Sequence, residues 1–179
     1  MKKTLKLMVI ALLTLGLFSC GETRKKITVE ELREAQSTLF NNGSLNEKEA
    51  PKVAEKYCRF VKQNPDDTAS VKWLYHALEI NVMLKNSEKS IEIGNQLLEQ
   101  YHQSRWAPQT LLTLGSFVYN DQLNDTAQAH VMFQRLIDEY PDSDLVDDAQ
   151  KSIEYLGLSP DEIMSLIMMS QMEEGDSDL

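Results

Sequence analysis

Asn124-Asp125-Thr126-Ala127-Gln128-Ala129-His130-Val131-Met132-Phe133-Gln134-Arg135-Leu136-Ile137-Asp138-Glu139-Tyr140-Pro141 decides the fold. Asn124 or Asp125 supplies a helix cap, and the helix must end before Pro141, which cannot continue it. Small Ala129 and large Phe133 and Leu136 suit close helix packing, because small residues let helices approach and large ones fill the facing gaps. The segment is not alone. Phe60-Val61-Lys62-Gln63-Asn64-Pro65, Leu97-Leu98-Glu99-Gln100-Tyr101-His102 and Leu136-Ile137-Asp138-Glu139-Tyr140-Pro141 each end an amphipathic stretch before a polar turn, at spacings of 37 and 39 residues. Self-similarity at that period is the signature of stacked helical units.

Working outward, caps and breakers predict eight helices and no strands. Thr28-Val29-Glu30-Glu31 is a capping-box pattern opening a helix over 28–40, which Asn41-Asn42-Gly43-Ser44 ends. A second runs over 47–63, with Pro51 in its first turn. Asp67 caps a third over 68–84, and Ser87 starts a fourth that ends near 101. Ser104 starts a fifth with Pro108 in its opening turn. The quoted segment is the sixth. Ser143 or Asp144 starts a seventh that ends at Gly157, and Ser159-Pro160-Asp161-Glu162 opens an eighth that reaches 172. The expected fold is all-α, with antiparallel helices joined by short polar turns.

This layout resembles the tetratricopeptide repeat (TPR) family. Leu111, Leu114-Gly115 and Val118 fit its first helix, and Ala129, Phe133, Leu136 and Pro141 its second. Trp73 and Ala77 match another first helix, and Ser90, Gly94, Leu97 and His102 its partner. Val53, Tyr57, Phe60 and Pro65 match the second helix before that. His76 stands where the family usually has Leu, and His102 where it has Pro. The resemblance implies an α-solenoid of three to four helix pairs over 28–158. It also implies a concave groove for a partner protein, lined by Leu74, Leu78, Asn81, Leu112, Ser116, Tyr119, Gln150 and Glu154.

The N-terminus bears on location. Lys2, Lys3 and Lys6 precede the apolar run Leu7–Phe18, which is built like a secretory signal and is too short to span a bilayer. The ending Leu17-Phe18-Ser19-Cys20 resembles the lipobox of bacterial lipoproteins. That resemblance implies a signal peptide over 1–19, a diacylglyceryl thioether on Cys20, acylation of the new N-terminus, and a tether over 20–27. Gly21, where Asp often marks inner-membrane retention, points to the outer membrane, with the domain facing the periplasm. Cys58 then has no second cysteine to pair with and reads as a buried small hydrophobe.

The full chain carries a net charge of −10. Residues 20–90 carry 12 basic and 11 acidic side chains, whereas 91–179 carry 3 and 17. So acidic a distal half argues against nucleic acid as a partner. Lys48, Lys52, Lys56 and Arg59 share one helix face, a solvated face or a contact for anionic lipid near the anchor.

Catalytic signals are thin, and the expectation is a non-enzyme with no cofactor and no metal. His76, His102 and His130 form no ligand pattern, and the seven glycines include neither a nucleophile elbow nor a phosphate loop. Asp142, Asp144, Asp147 and Asp148 lack the glycine and glutamate of a calcium loop and fit a helix start instead. Asp67-Thr68-Ala69 and Asp125-Thr126-Ala127 resemble a bacterial O-glycosylation motif, and both also begin helices. The last helix, 159–172, is crowded with Ile163, Met164, Leu166, Ile167, Met168, Met169 and Met172 and is expected to cap the stack. Residues 173–179 read as an acidic disordered tail.

The functional expectation is a lipid-anchored TPR scaffold in the bacterial cell envelope that binds other proteins. TPR lipoproteins of the outer-membrane β-barrel assembly machine share the texture of Phe133–Ser143, as do periplasmic TPR proteins of envelope maintenance and division. Membership in the assembly machine is one alternative; service as an accessory to a cell-wall enzyme is another.

Overall fold

The computed structural model describes residues 25–176, with side chains described as far as Met169. The signal segment, Cys20, the tether before Lys25, the Met172 side chain and residues 177–179 lie outside the described residues, whereas 173–176, expected to be disordered tail, continue the last helix to Asp176.

The chain is all-α. Its elements are α1 (Val29–Ser37), a hairpin of β1 (Phe40–Asn41) and β2 (Ser44–Leu45), α2 (Ala50–Gln63), α3 (Ser70–Met83), α4 (Ser87–Gln100), α5 (Trp106–Thr113) running on as a π-helix (Leu114–Gln122), α6 (Thr126–Glu139), α7 (Val146–Tyr155) and α8 (Pro160–Asp176). Several caps fall where the sequence puts them. The Thr28 hydroxyl accepts from Glu31 N–H while the Glu31 carboxylate accepts from Thr28 N–H, a complete capping box. Asp125 caps α6 by accepting from Gln128 N–H at 3.0 Å, and Ser159 and Glu162 cap each other at α8. Asp67 acts one turn early, accepting from Ala69 N–H at 2.8 Å.

Two features depart from the expected pattern. Asn42-Gly43 does not merely stop a helix. Asn42 (φ 50°) and Gly43 (φ 81°) both adopt positive φ, the geometry of a primed two-residue turn. They close an antiparallel hairpin that pairs Phe40 with Leu45 and Asn41 with Ser44. The expected absence of strands is therefore corrected by one short hairpin, whose turn needs a residue at ease with φ > 0. The fifth helix also widens into a π-helix at Leu114, a register that the side-chain pattern does not signal.

Packing follows chain order: α1 on α2, α2 on α3, α3 on α4, α4 on α5 and the π-helix, these on α6, and α6 on α7. The core is one connected cluster running from Leu32 to Ala149. Val53, Tyr57, Phe60, Trp73, Ala77, Leu97, Leu111, Leu114, Val118, Ala129, Phe133 and Leu136 are all buried in it. Two glycines leave no room for a side chain. A Cβ on Gly94 would lie 2.7 Å from Leu114 Cδ1, and one on Gly115 would lie 2.5 Å from Phe133 Cε1. Successive units are also clamped alike. Tyr101 Oη donates to Pro65 O at 2.8 Å, and Tyr140 Oη donates to His102 O at 2.9 Å.

α8 is held more loosely. No described side chain of it is fully buried; Ile163, Leu166 and Ile167 are half-buried, and Met164, Met168 and Met169 are exposed. Deleting 160–179 is expected to cost about 1 kcal/mol or less, which lowers Tm by about 2–4 °C for a chain of this size. A thermal melt of the truncated soluble domain checks this, and a fall beyond about 10 °C would make α8 part of the cooperative core.

Candidate functional site: an aromatic-floored groove

Tyr57 of α2 with Tyr75 and His76 of α3 form the aromatic floor of the groove, and Trp73 and Trp106 support these rings without lining it. Trp73 and Tyr75 leave α3 in opposite directions. Trp73 packs on Tyr57 of α2 with ring centroids 4.8 Å apart, and Tyr75 on Trp106 of α5, also at 4.8 Å. His76 sits between the two indoles, 5.8 Å from Trp73 and 6.1 Å from Trp106. Its Nδ1 lies 2.7 Å from Glu79 Oε2, which fixes the ring. Aromatic pairs of this kind contribute about 0.5–1.5 kcal/mol each beyond area burial. Polar bonds lock the helices further. Tyr75 Oη and Thr113 Oγ1 share a buried hydrogen bond of 3.1 Å. Gln122 at the end of the π-helix donates to Val82 O and accepts from the Ser87 hydroxyl.

Above this floor lies a cavity of about 510 Å³. Phe40 of the hairpin, Met83 of α3 and Phe117 of the π-helix stand at its rim and are 54%, 44% and 52% exposed. Exposed aromatics gathered on one concave face are unusual, since a soluble monomer gains nothing by leaving them in water. Tyr57 also borders the cavity. Its buried hydroxyl has no hydrogen-bond partner among the described protein groups, and burial pushes its pKa up to about 12. A larger depression of about 1080 Å³ lies between the α4–α5 and α6–α7 loops, where Trp106, Pro108, Pro141 and Leu145 mix with polar and charged residues such as Gln103, Arg105, Glu139 and Asp142.

The groove residues expected from the sequence fall into three groups. Leu74 and Leu78 are fully buried, and Asn81 is 6% exposed with its amide donating to Ala77 O. These three are core and do not line a groove, a correction with a simple cause. Each of Leu74, Leu78, Leu112 and Ser116 lies one residue before a groove-lining position: Tyr75, Glu79, Thr113 and Phe117. One residue is about 100° around a helix, enough to turn a groove position into a core one. Leu112 and Tyr119 are half-buried against the core, and Ser116 borders a separate depression with Asn120 and Tyr155. Gln150 and Glu154 are exposed on α7, outside this groove. Phe40, Met83 and Phe117 were not singled out by sequence; their exposure follows from the hairpin and the helix register.

Other sequence candidates find structural work. His102 and His130 are exposed, and among the described residues no group of three or more His, Cys, Asp or Glu is set to hold a metal. Asp147 and Asp148 lie in the first turn of α7, where the helix dipole favours them. Thr68 is exposed and Thr126 half-buried at the start of α6. Cys58 is a free, half-buried thiol, and burial pushes its pKa up to about 11 from an ordinary value of 9.0. At pH 8 the thiolate population is then about 100-fold lower than for an ordinary cysteine. Alkylation by iodoacetamide should slow by that order relative to the urea-unfolded chain; equal rates would show an accessible, ionised thiol.

No protein-family model matches this chain, and a search of curated proteins also finds no match.

Proposed function

We propose that this chain is a lipid-anchored, TPR-like scaffold of the bacterial cell envelope, and that it acts by holding a partner protein in the groove between the hairpin, α3 and the π-helix. The observation that carries the reading is the rim of Phe40, Met83 and Phe117 exposed over a floor that includes the Tyr57, Tyr75 and His76 rings. A rigid apolar groove binds well because little order is lost on association. The partner chemistry that fits is a peptide segment with two or three apolar anchor side chains, the form in which amphipathic segments enter helix-lined grooves.

The TPR-like reading draws support from three features. Every small and large packing residue of the best-matched unit, from Leu111 to Leu136, is buried. Gly94 and Gly115 stand where an added Cβ would crowd Leu114 and Phe133 of the neighbouring segments. Tyr101 and Tyr140 repeat the same clamp between successive units. The anchoring part of the proposal rests on the signal segment and the Leu17-Phe18-Ser19-Cys20 ending.

Affinity capture from cross-linked envelopes tests the reading. The wild type should retain a discrete partner, and Phe40→Asp with Phe117→Asp should lose it by about 30-fold or more, the effect of removing one interface anchor of about 2 kcal/mol. Both side chains are exposed, so the variant should melt as the wild type does. Equal recovery by both proteins would remove the groove from the account. Recovery of a β-barrel assembly complex would give the protein the narrower role of an assembly component, and recovery of a cell-wall hydrolase or synthase that of an enzyme accessory.

A further inference from the structure

A second concavity, of about 870 Å³, lies at the start of the described chain. Segment 25–27 is pinned beside α2, because Ile27 N–H donates to Gln63 Oε1 at 2.9 Å. The pinning brings Lys25 and Lys26 together with Lys56, Arg59 and Lys62 of α2 around one hollow. Glu31 and Glu55 are the acids there, and both are engaged. Glu31 pairs with Lys25 at 3.0 Å, and its pKa is held below the usual carboxylate range by Thr28 N–H and Lys25. Glu55 lies 3.9 Å from Arg59. Lys26 and Lys62 have no ion pair among the described residues.

We infer that this basic hollow is the face by which the domain lies against an anionic membrane surface. Two arguments select that occupant. The first is reach. Four residues lie between Cys20 and Lys25, so a lipid on Cys20 would keep the Lys25 backbone within at most about 18 Å of its attachment point. The inference rests on the proposed anchor for this argument. The second is charge. Five cations against two carboxylates leave a net positive face on a chain that is strongly acidic overall. Packing in chain order puts the acidic distal half at the far end of the stack, where screening keeps its charge from offsetting the attraction at α2. The domain would therefore stand with segment 25–27 and the basic face of α2 at the membrane and the helices from α4 onward projecting away.

Lysine footprinting tests this without waiting on the anchor. The chain from residue 20 onward, which includes every described residue, is attached through the Cys20 thiol to maleimide lipid in vesicles and acetylated at limiting reagent. With about a third phosphatidylglycerol at low salt, Lys26 and Lys62 should be acetylated at least about five-fold more slowly than on pure phosphatidylcholine, the scale set by one basic residue at an anionic surface. The protection should vanish in high salt. Lys85 and Lys151, both exposed and outside the hollow, should react alike on both vesicles. Arg59→Glu should weaken the protection of Lys26 and Lys62. Equal rates on the two lipids, or equal protection at Lys151, would overturn the inference. Since attachment is chemical, failure here leaves native lipidation to its own labelling test.

Discussion

Gly115→Leu will lower the stability of the soluble domain by about 2 kcal/mol, and Tm by about 4–8 °C. The reason is the Phe133 ring. A single added Cβ would already come within 2.5 Å of Phe133 Cε1 and 2.9 Å of its Cδ1 and Cζ. Phe133 is 1% exposed and part of the connected core, so the ring has little space into which to retreat. Leucine gains somewhat less than about 1 kcal/mol of helix propensity over glycine, which offsets part of an overpacking cost of up to about 3 kcal/mol. Phe133→Ala alone should cost about 3–5 kcal/mol through the cavity it leaves. The combination should cost less than the sum by about 1 kcal/mol or more, since leucine fills space the ring vacated. Urea melts of the four proteins check this. Strict additivity, or an unchanged melt for Gly115→Leu, would mean the helices are not held at this distance.

Cys20→Ala will abolish incorporation of an alkyne fatty acid that the wild type takes up. One acyl chain binds membranes only marginally, whereas two or more anchor stably, so the thioether lipid and the N-terminal acyl group together would hold the protein permanently. Fractionation alone would mislead. A variant that escapes lipidation also escapes the cleavage that follows it, and the uncut run Leu7–Phe18 would still favour the membrane. The label is the decisive readout, and equal labelling of the two proteins would end the anchor hypothesis.

The helices were legible because their ends carry chemistry that operates locally. Thr28 with Glu31, Asp125, and Ser159 with Glu162 satisfy orphan N–H groups whatever the rest of the chain does. The hairpin was not legible. Its two pairs of residues are too short for an alternating pattern, and Asn42-Gly43 also suits a helix stop. The π register of Leu114–Gln122 is a backbone choice without a side-chain signature.

The groove was misplaced by one residue for a further reason. α3 contacts α2, α4 and α5, and Trp73, Leu74, Tyr75, Ala77, Leu78, Ile80 and Asn81 are all buried. A helix apolar nearly all round does not declare which narrow strip remains open. Tertiary packing left that strip to His76, Glu79 and Met83.

Photo-cross-linking from inside the groove tests the central claim most directly. A photoreactive amino acid is placed in living cells at Phe40, Met83 or Phe117, and for comparison at Val131, an exposed apolar position on α6 outside the groove. All three groove positions should give an adduct of the same mass with the same protein, and position 131 should not. Adducts from all four positions alike, or from 131 alone, would contradict a groove that holds a partner.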